Sequence, residues 1–220
     1  MSATDADCAI ITRNPTSGKI QGDLIYGIEQ ITQNIGEVHA EGIDYSVRYR
    51  WDLGQWGGLE AALDGTYVMD ASYLPSADAP RVDCVAHYGK QCGLPSTVSG
   101  STGGPTPEHH FVQRTTWSFG DFDVSYLWRY ISESTVDPTQ AADTPAASAS
   151  IPDYNYIDLA ASWQVTDWAK LKFGITNVTD EEAPFVETET GSTPYNSGNT
   201  YPSTYDVLGR VFTVGLTTKF

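Results

Sequence analysis

The clearest alternation of apolar and polar positions in the chain is GIDYSVRYRW. Ile43, Tyr45, Val47, Tyr49 and Trp51 fall on one face, and Asp44, Ser46, Arg48 and Arg50 on the other. Period two predicts a β-strand with unlike surroundings on its two sides. The segment DLGQWGG follows as a short turn. Leu59, Ala61, Leu63, Gly65, Tyr67 and Met69 then alternate with Glu60, Asp64, Thr66 and Asp70, which completes a hairpin. FVQRTTWSF and FDVSYLWRY flank the dipeptide GD, a good hairpin signal between alternating runs. In the first, Phe111, Thr115 and Trp117 oppose Arg114. In the second, Phe122, Val124, Tyr126, Trp128 and Tyr130 oppose Asp123, Ser125 and Arg129. YNYIDLAASWQV and AKLKFGITN form a third pair across TDW, and VFTVGLTTKF is the last strand.

Between the hairpins lie three long polar stretches, roughly residues 72–108, 133–152 and 178–206. Short turn and long loop therefore alternate regularly. That regularity, with strands of about ten residues and Tyr and Trp near their ends, is the pattern of an outer-membrane barrel. The expected fold class is all-β: a portion of an antiparallel transmembrane β-barrel of seven or eight strands, with short periplasmic turns and long extracellular loops. A soluble β-sandwich also alternates, with its apolar face inward, but it does not account for a chain ending on an aromatic strand, whose bare edge invites aggregation. The N-terminal side is less regular. LIYGIEQITQNIGEVHAEGIDY reads either as one strand extended beyond the membrane and kinked at Asn34–Gly36, or as a separate strand at 24–33 that makes eight and closes a small barrel.

Composition narrows the function classes. The chain has 220 residues and a net charge of −16, with 28 acidic against 12 basic side chains. That balance excludes a nucleic-acid partner, which needs a basic stripe. No stretch approaches the apolar length of a membrane helix. No secretory leader is visible at Met1, so a chain working outside the cytoplasm is expected to lack its beginning. Cys84 and Cys92 share the polar segment CVAHYGKQC and are expected to form a local disulfide. His87 between them makes zinc conceivable, but no fourth ligand is evident. His109 and His110 are adjacent, and in a strand they point to opposite faces. Cys8 has no evident partner.

Three segments carry a resemblance. NIGEVHAEGIDYSVRY resembles the Asn-Gly element and strand start found in TonB-dependent outer-membrane receptors. LKFGITNVTDEEAP resembles their penultimate strand, which ends in an Asn-hydrophobic-x-Asp turn followed by Pro. TYDVLGRVFTVGLTTKF resembles their last strand, led by Gly209–Arg210. The three occur in family order and cover most of 27–220. The resemblance implies a barrel of about 22 strands with an N-terminal plug and energised uptake of a scarce nutrient through TonB. Residues 1–36 are then an extracellular loop and strand extension, and 37–220 the C-terminal strands, with plug and TonB box absent. The implied partners are the rest of the barrel and its plug, the TonB complex, the barrel-assembly machinery, outer-membrane lipid and a nutrient ligand. Phe212, Val214, Leu216 and Phe220 of the last strand resemble the signal read by the assembly machinery.

No enzyme motif is present. There is no Gly-x-Ser-x-Gly elbow, and GSTGGP lacks the lysine and helix of a phosphate loop. No cofactor is implied. Asp180, Glu181 and Glu182 read as a solvated loop end rather than a cation site, and Asn177-Val178-Thr179 is a glycosylation triplet of the kind that recurs by chance. Asp44, Arg48, Arg50, Asp64, Arg114 and Arg129 are candidates for a wet lumen. There they either meet plug and substrate or bridge one another across strands. Tyr195, Asn196, Asn199, Tyr201 and Tyr205 are the ligand candidates, because aromatic faces beside amides and hydroxyls suit sugars or aromatic chelates. An iron chelate, cobalamin and a carbohydrate all remain open.

Overall fold

The alternating segments pair with their neighbours in chain order. The computed structural model describes residues 11–20, 26–28, 36–74, 79–89, 92, 104–186 and 200–219, in two units, 1–35 and 36–220. In the first unit, β1 (Ile11–Thr12) and β2 (Gly27–Ile28) make a two-stranded antiparallel ribbon. The second begins with β3 (Glu37–Asp52) and β4 (Gly58–Leu74), followed by the short β5 (Val82–Asp83) and β6 (His87–Tyr88). The hairpin β7 (His109–Phe119) and β8 (Phe122–Ile131) comes next, then β9 (Ser134–Val136) and β10 (Ser150–Ile151). The chain continues through β11 (Tyr154–Thr166) and β12 (Ala169–Thr176) to β13 (Val211–Thr218).

Seven long strands form one antiparallel sheet in the order β3-β4-β7-β8-β11-β12-β13, with β5 added beside β4. Among the described residues the outer edges of β3 and β13 have no partner strand, so the sheet is open. The separate strand proposed at 24–33 is described only at 26–28. There it is the two-residue β2, paired with β1.

Register follows the side-chain pattern. One row runs Trp51, Leu59, Trp117, Val124, Ala161, Phe173, Val214 across all seven strands. A slip of one residue in any pair would carry a whole apolar set to the polar side. Yet this apolar face is uncovered: Val47 is 59% exposed, Phe212 69% and Val214 73%. No second layer packs on it among the described residues, as a sandwich requires.

The first hairpin is longer than its alternation suggests. β3 starts at Glu37 and β4 ends at Leu74, and the register shifts between Glu41 and Gly42, where Met69 is the extra residue. The described ladder is interrupted at this bulge; the kink expected at Asn34–Gly36 falls largely outside the described residues. Above it the side-chain chemistry inverts. The face that carries Ile43 and Tyr45 below the bulge carries Glu37, His39 and Glu41 above it. The face that carries Asp44 and Ser46 below carries Val38 and Ala40 above.

The buried core lies at the loop end of the sheet. Tyr88, Val136, Ile151, Tyr154, Tyr156, Val186, Tyr201 and Tyr205 make one cluster, drawn from all three long connections and the start of β11. Those connections are not plain loops. β6, β9 and β10 form a small three-stranded sheet, and the Tyr88 hydroxyl donates to the Ser148 carbonyl. Tyrosines in otherwise polar stretches supply the apolar area.

At the opposite end the turns are tight. Gly57, at φ 81°, lets the β3–β4 turn pass against the Ser118 carbonyl. Gly57→Ala should lower the urea midpoint of the β-sheet circular dichroism by more than about 1 kcal/mol equivalent. Gly54→Ala, which meets open space at φ 59°, should cost less.

Candidate functional site

Two regions can meet a solute: the polar face of the sheet and its loop end. On the polar face, neighbouring strands bridge one another. Arg48 reaches Asp64 at 3.2 Å, Arg50 pairs with Glu60, and Lys170 reaches Asp123 at 3.2 Å. The Ser46 hydroxyl donates to Asp64 and Thr66 to Asp44, each at 2.6 Å. Ser118 and Ser162 donate to Asp123 at 2.8 and 2.9 Å. Arg114 is exposed and makes no ion pair among the described residues. Of the lumen candidates, then, Asp44, Arg48, Arg50 and Asp64 are engaged across β3 and β4, while Arg114 is not.

Arg129 ties the sheet to the loops. From β8 it reaches Asp158 on β11 at 3.1 Å and Asp206 of the last connection at 3.8 Å, and its guanidinium lies 4.9 Å from the Tyr156 ring centre. Asp158 also accepts the Asn177 amide at 2.8 Å, and the Tyr156 hydroxyl accepts the Asp206 amide at 3.2 Å. The sequence does not reveal Asp206 as a partner of Arg129, because the two are far apart in the chain.

The NVTDEE turn forms a clasp. Buried Asn177 uses its side-chain amide to hold both the amide and carbonyl of Glu181. Asp180 accepts the Arg210 amide at 2.7 Å and pairs with its guanidinium at 3.4 Å. Glycine at 209 is required there, since a Cβ would meet the Asp180 carboxylate at 2.9 Å. The start of β13 is thereby fastened to the end of β12.

Cys84 and Cys92 are joined by a disulfide packed on Ala71 of β4. Tyr201 and Tyr205 are each 2% exposed, so their rings build the loop core and face no solvent. Tyr195, Asn196, Asn199 and Phe220 lie outside the described residues, while Phe212, Val214 and Leu216 sit exposed on the apolar face.

Two cavities adjoin at the loop end of β3, β4 and β7. One, of about 440 Å³, includes Asp44, Ser46, Asp64, Thr66 and His110 beside the apolar Phe111 and Val112. The other, of about 470 Å³, lies above the bulge between Val38, Ala40, Ala71 and Tyr73 and the facing Pro105 and Pro107. His39, Ser72, Thr106, Ser203, Thr204 and His110 supply polar groups. Nothing in the alternation pointed to this pocket; the inverted pattern at 37–41 was its one sequence signal.

Such a sheet, apolar and bare on one side and ion-paired on the other, has known counterparts. The family profile described as TonB dependent receptor-like, beta-barrel matches residues 8–178. The chain belongs to this family. Among solved structures it resembles the ferric-catecholate import receptor Fiu of Escherichia coli K12, at 16% identity and a TM-score of 0.51 over 96% of this chain and 23% of that one. It also resembles an enterobactin-bound mutant of the ferric enterobactin receptor PfeA of Pseudomonas aeruginosa, at 15% identity and a TM-score of 0.50 over 83% and 23%. The chain thus spans about a quarter of the length of these receptors. Comparison with curated proteins finds no match.

For a TonB-dependent receptor barrel the two faces acquire meaning: apolar side to lipid, polar side to lumen. Aromatic girdles mark both boundaries. At the turn end Phe122 stacks on Trp163 and Trp117 on Phe119. At the loop end His109 shares a 2.7 Å hydrogen bond with the Tyr45 hydroxyl among the rings of Tyr67, Phe111 and Tyr130. Tyr45 reaches it by crossing the space left by Gly65. From His109 to Phe119 is about 33 Å of strand at ~3.3 Å per residue. Tilted at ~40°, that covers roughly the 25 Å apolar band of such barrels.

Arg129→Met leaves Asp158 and Asp206 without their cation. Amide exchange at Asn177 and Asp206 should accelerate by about 2 kcal/mol of local opening, while exchange in the middle of β7 stays unchanged. Burial pushes the Tyr88 phenol from 10.0 up to about 12 and raises Tyr201 and Tyr205 too. The folded loop core therefore keeps protons that the unfolded chain releases above pH 10. Its stability is intact below pH 10 and falls as pH rises through about 12. Tyrosinate absorbance should show these phenols ionising together with loss of protease resistance in the loops.

Proposed function

We propose that the chain forms part of the wall and external cap of an outer-membrane receptor of a Gram-negative bacterium, importing a scarce nutrient with energy delivered through TonB. One observation carries the reading: large apolar side chains stay bare along a whole sheet face while the buried core sits in loops at one end. A surrounding hydrocarbon layer stabilises that arrangement, and water does not. In this reading the short turns are periplasmic and the long connections are extracellular. Residues 1–36 are an external loop and strand extension, and 37–220 are the C-terminal wall.

The partners follow from unfilled contacts. The edges of β3 and β13 require further barrel strands, since unpaired backbone is costly in lipid. Arg114, without an ion pair among the described residues, suits an acidic group of a plug on the lumen side. The exposed Phe212, Val214 and Leu216 of β13 suit recognition by the barrel-assembly machinery. The nutrient is an iron chelate, cobalamin or a carbohydrate, bound at the loop end before passage. The family is one of transport receptors, and the chain is read as a transporter component rather than an enzyme.

Refolding into zwitterionic micelles tests the proposal through gel mobility before and after boiling. A wall segment with two bare edges should run as edge-paired, heat-dissociable multimers. A fast-migrating, heat-modifiable monomer would mean a self-closed small barrel, and a monomer soluble without detergent would mean a sandwich. Either outcome rejects the receptor reading.

A further inference from the structure

We infer that the 470 Å³ pocket above the bulge receives an uncharged, amphipathic part of the ligand, a ring or aliphatic face bordered by hydroxyl or amide groups, and rejects anionic ligands. The inference rests on the receptor reading for its biological setting. Its physical basis is separate.

In a chain with 28 acidic and 12 basic side chains, no Asp, Glu, Lys or Arg is among the described residues lining this pocket. The bulge explains the lack. Above Gly42, Glu37 is already paired with Arg81 at 3.2 Å and Asp70 with the lining residue His39 at 3.3 Å. The inward wall is left with Val38, Ala40 and Ala71. A ligand carboxylate entering here would lose water and find no lysine or arginine on the described lining, and the His39 imidazole there is already engaged by Asp70. A hydroxyl or amide would exchange water for Thr106, Ser203, Thr204 and His110. The volume falls within the usual range for small-molecule sites, about 300–1,000 Å³, and so does the mixture of apolar walls and few polar groups. The −16 net charge adds a long-range field that opposes anions.

His110 lines both cavities, so a ligand leaving the apolar pocket inward passes His110 and meets Asp44 and Thr66. The carboxylates there are already committed, Asp44 to Thr66 and Asp64 to Ser46 and Arg48. The lower cavity therefore offers hydrogen-bonding surface without a strong competing cation site. A catecholate iron complex, whose deprotonated oxygens leave it anionic, fits neither station. The likeness to Fiu and PfeA is one of fold.

The test uses two probes of nearly equal shape, phenyl β-D-glucoside and the anionic phenyl β-D-glucuronide. Each is titrated into the full 220-residue chain in zwitterionic micelles. Binding is read from the His110 imidazole resonance, assigned by its loss in His110→Gln. The glucoside should bind at least tenfold more tightly, and Ser203→Arg, a change at an exposed lining position, should reverse the order. Equal or tighter binding of the glucuronide to the native chain, no shift with glucoside up to its solubility, or an unchanged order in Ser203→Arg overturns the inference. The two readings fail separately. A chain that forms edge-paired multimers yet prefers the glucuronide loses only the neutral-ligand inference. One that closes as a monomer yet prefers the glucoside loses only the receptor reading.

Discussion

Every strand in this sheet answers to one constraint: in a layer without water, each backbone N–H and C=O must be bonded to a neighbouring strand. The meander satisfies it with least loop closure, because each long strand pairs with the next long strand in sequence. The two faces are then free to differ completely. One carries Val, Leu and aromatic side chains to hydrocarbon, and the other carries cross-strand ion pairs to a wet interior. The same constraint bears hardest on the outer edges of β3 and β13, which have no partner strand among the described residues.

Because burial inside the sheet is not what holds it, the packed core moves elsewhere. It sits where water returns, in the connections at the loop end, and is built largely from tyrosine. A phenol fills space, and its hydroxyl can reach a carbonyl, as Tyr88 does. Arg129 joins this core to the wall through Asp158 and Asp206. The β3–β4 bulge has a related effect at smaller scale. By exchanging the surroundings of inward and outward side chains, it turns a strand pair made for lipid into one made for water outside and for a cavity whose described lining has no Asp, Glu, Lys or Arg.

The wall was legible from the alternation of residues such as Ile43 to Trp51 and Phe122 to Tyr130, because lipid and lumen impose unlike chemistry on successive side chains. The Asn177–Asp180 turn and Gly209–Arg210 were legible as motifs, but their mutual contact was not, since it spans the last long connection. The cap was not legible. Its core is assembled from single residues such as Tyr88, Ile151 and Tyr205 in stretches with no periodicity, and only their convergence in space makes them a core. Tyr201 and Tyr205 show the cost: aromatic rings in a polar loop suggest an exposed binding surface as readily as a buried one. The pocket was hidden for a related reason. Val38 and Ala40 follow the strand's alternation faithfully, but they do so on the face that the lower half reserves for charge.

The clasp made by Asn177, Asp180 and Arg210 separates inheritance of the wall from inheritance of recognition. It fixes the two ends of the last connection within a few residues of β12 and β13, so strand register does not depend on what lies at positions 187–199. Closing a longer loop between fixed ends adds little entropy cost, about 0.6 kcal/mol per doubling. Those positions can therefore be lengthened, shortened or rewritten without disturbing the barrel. The clasp thus lets the last connection drift in length and content while the pairing of β12 with β13 keeps its register.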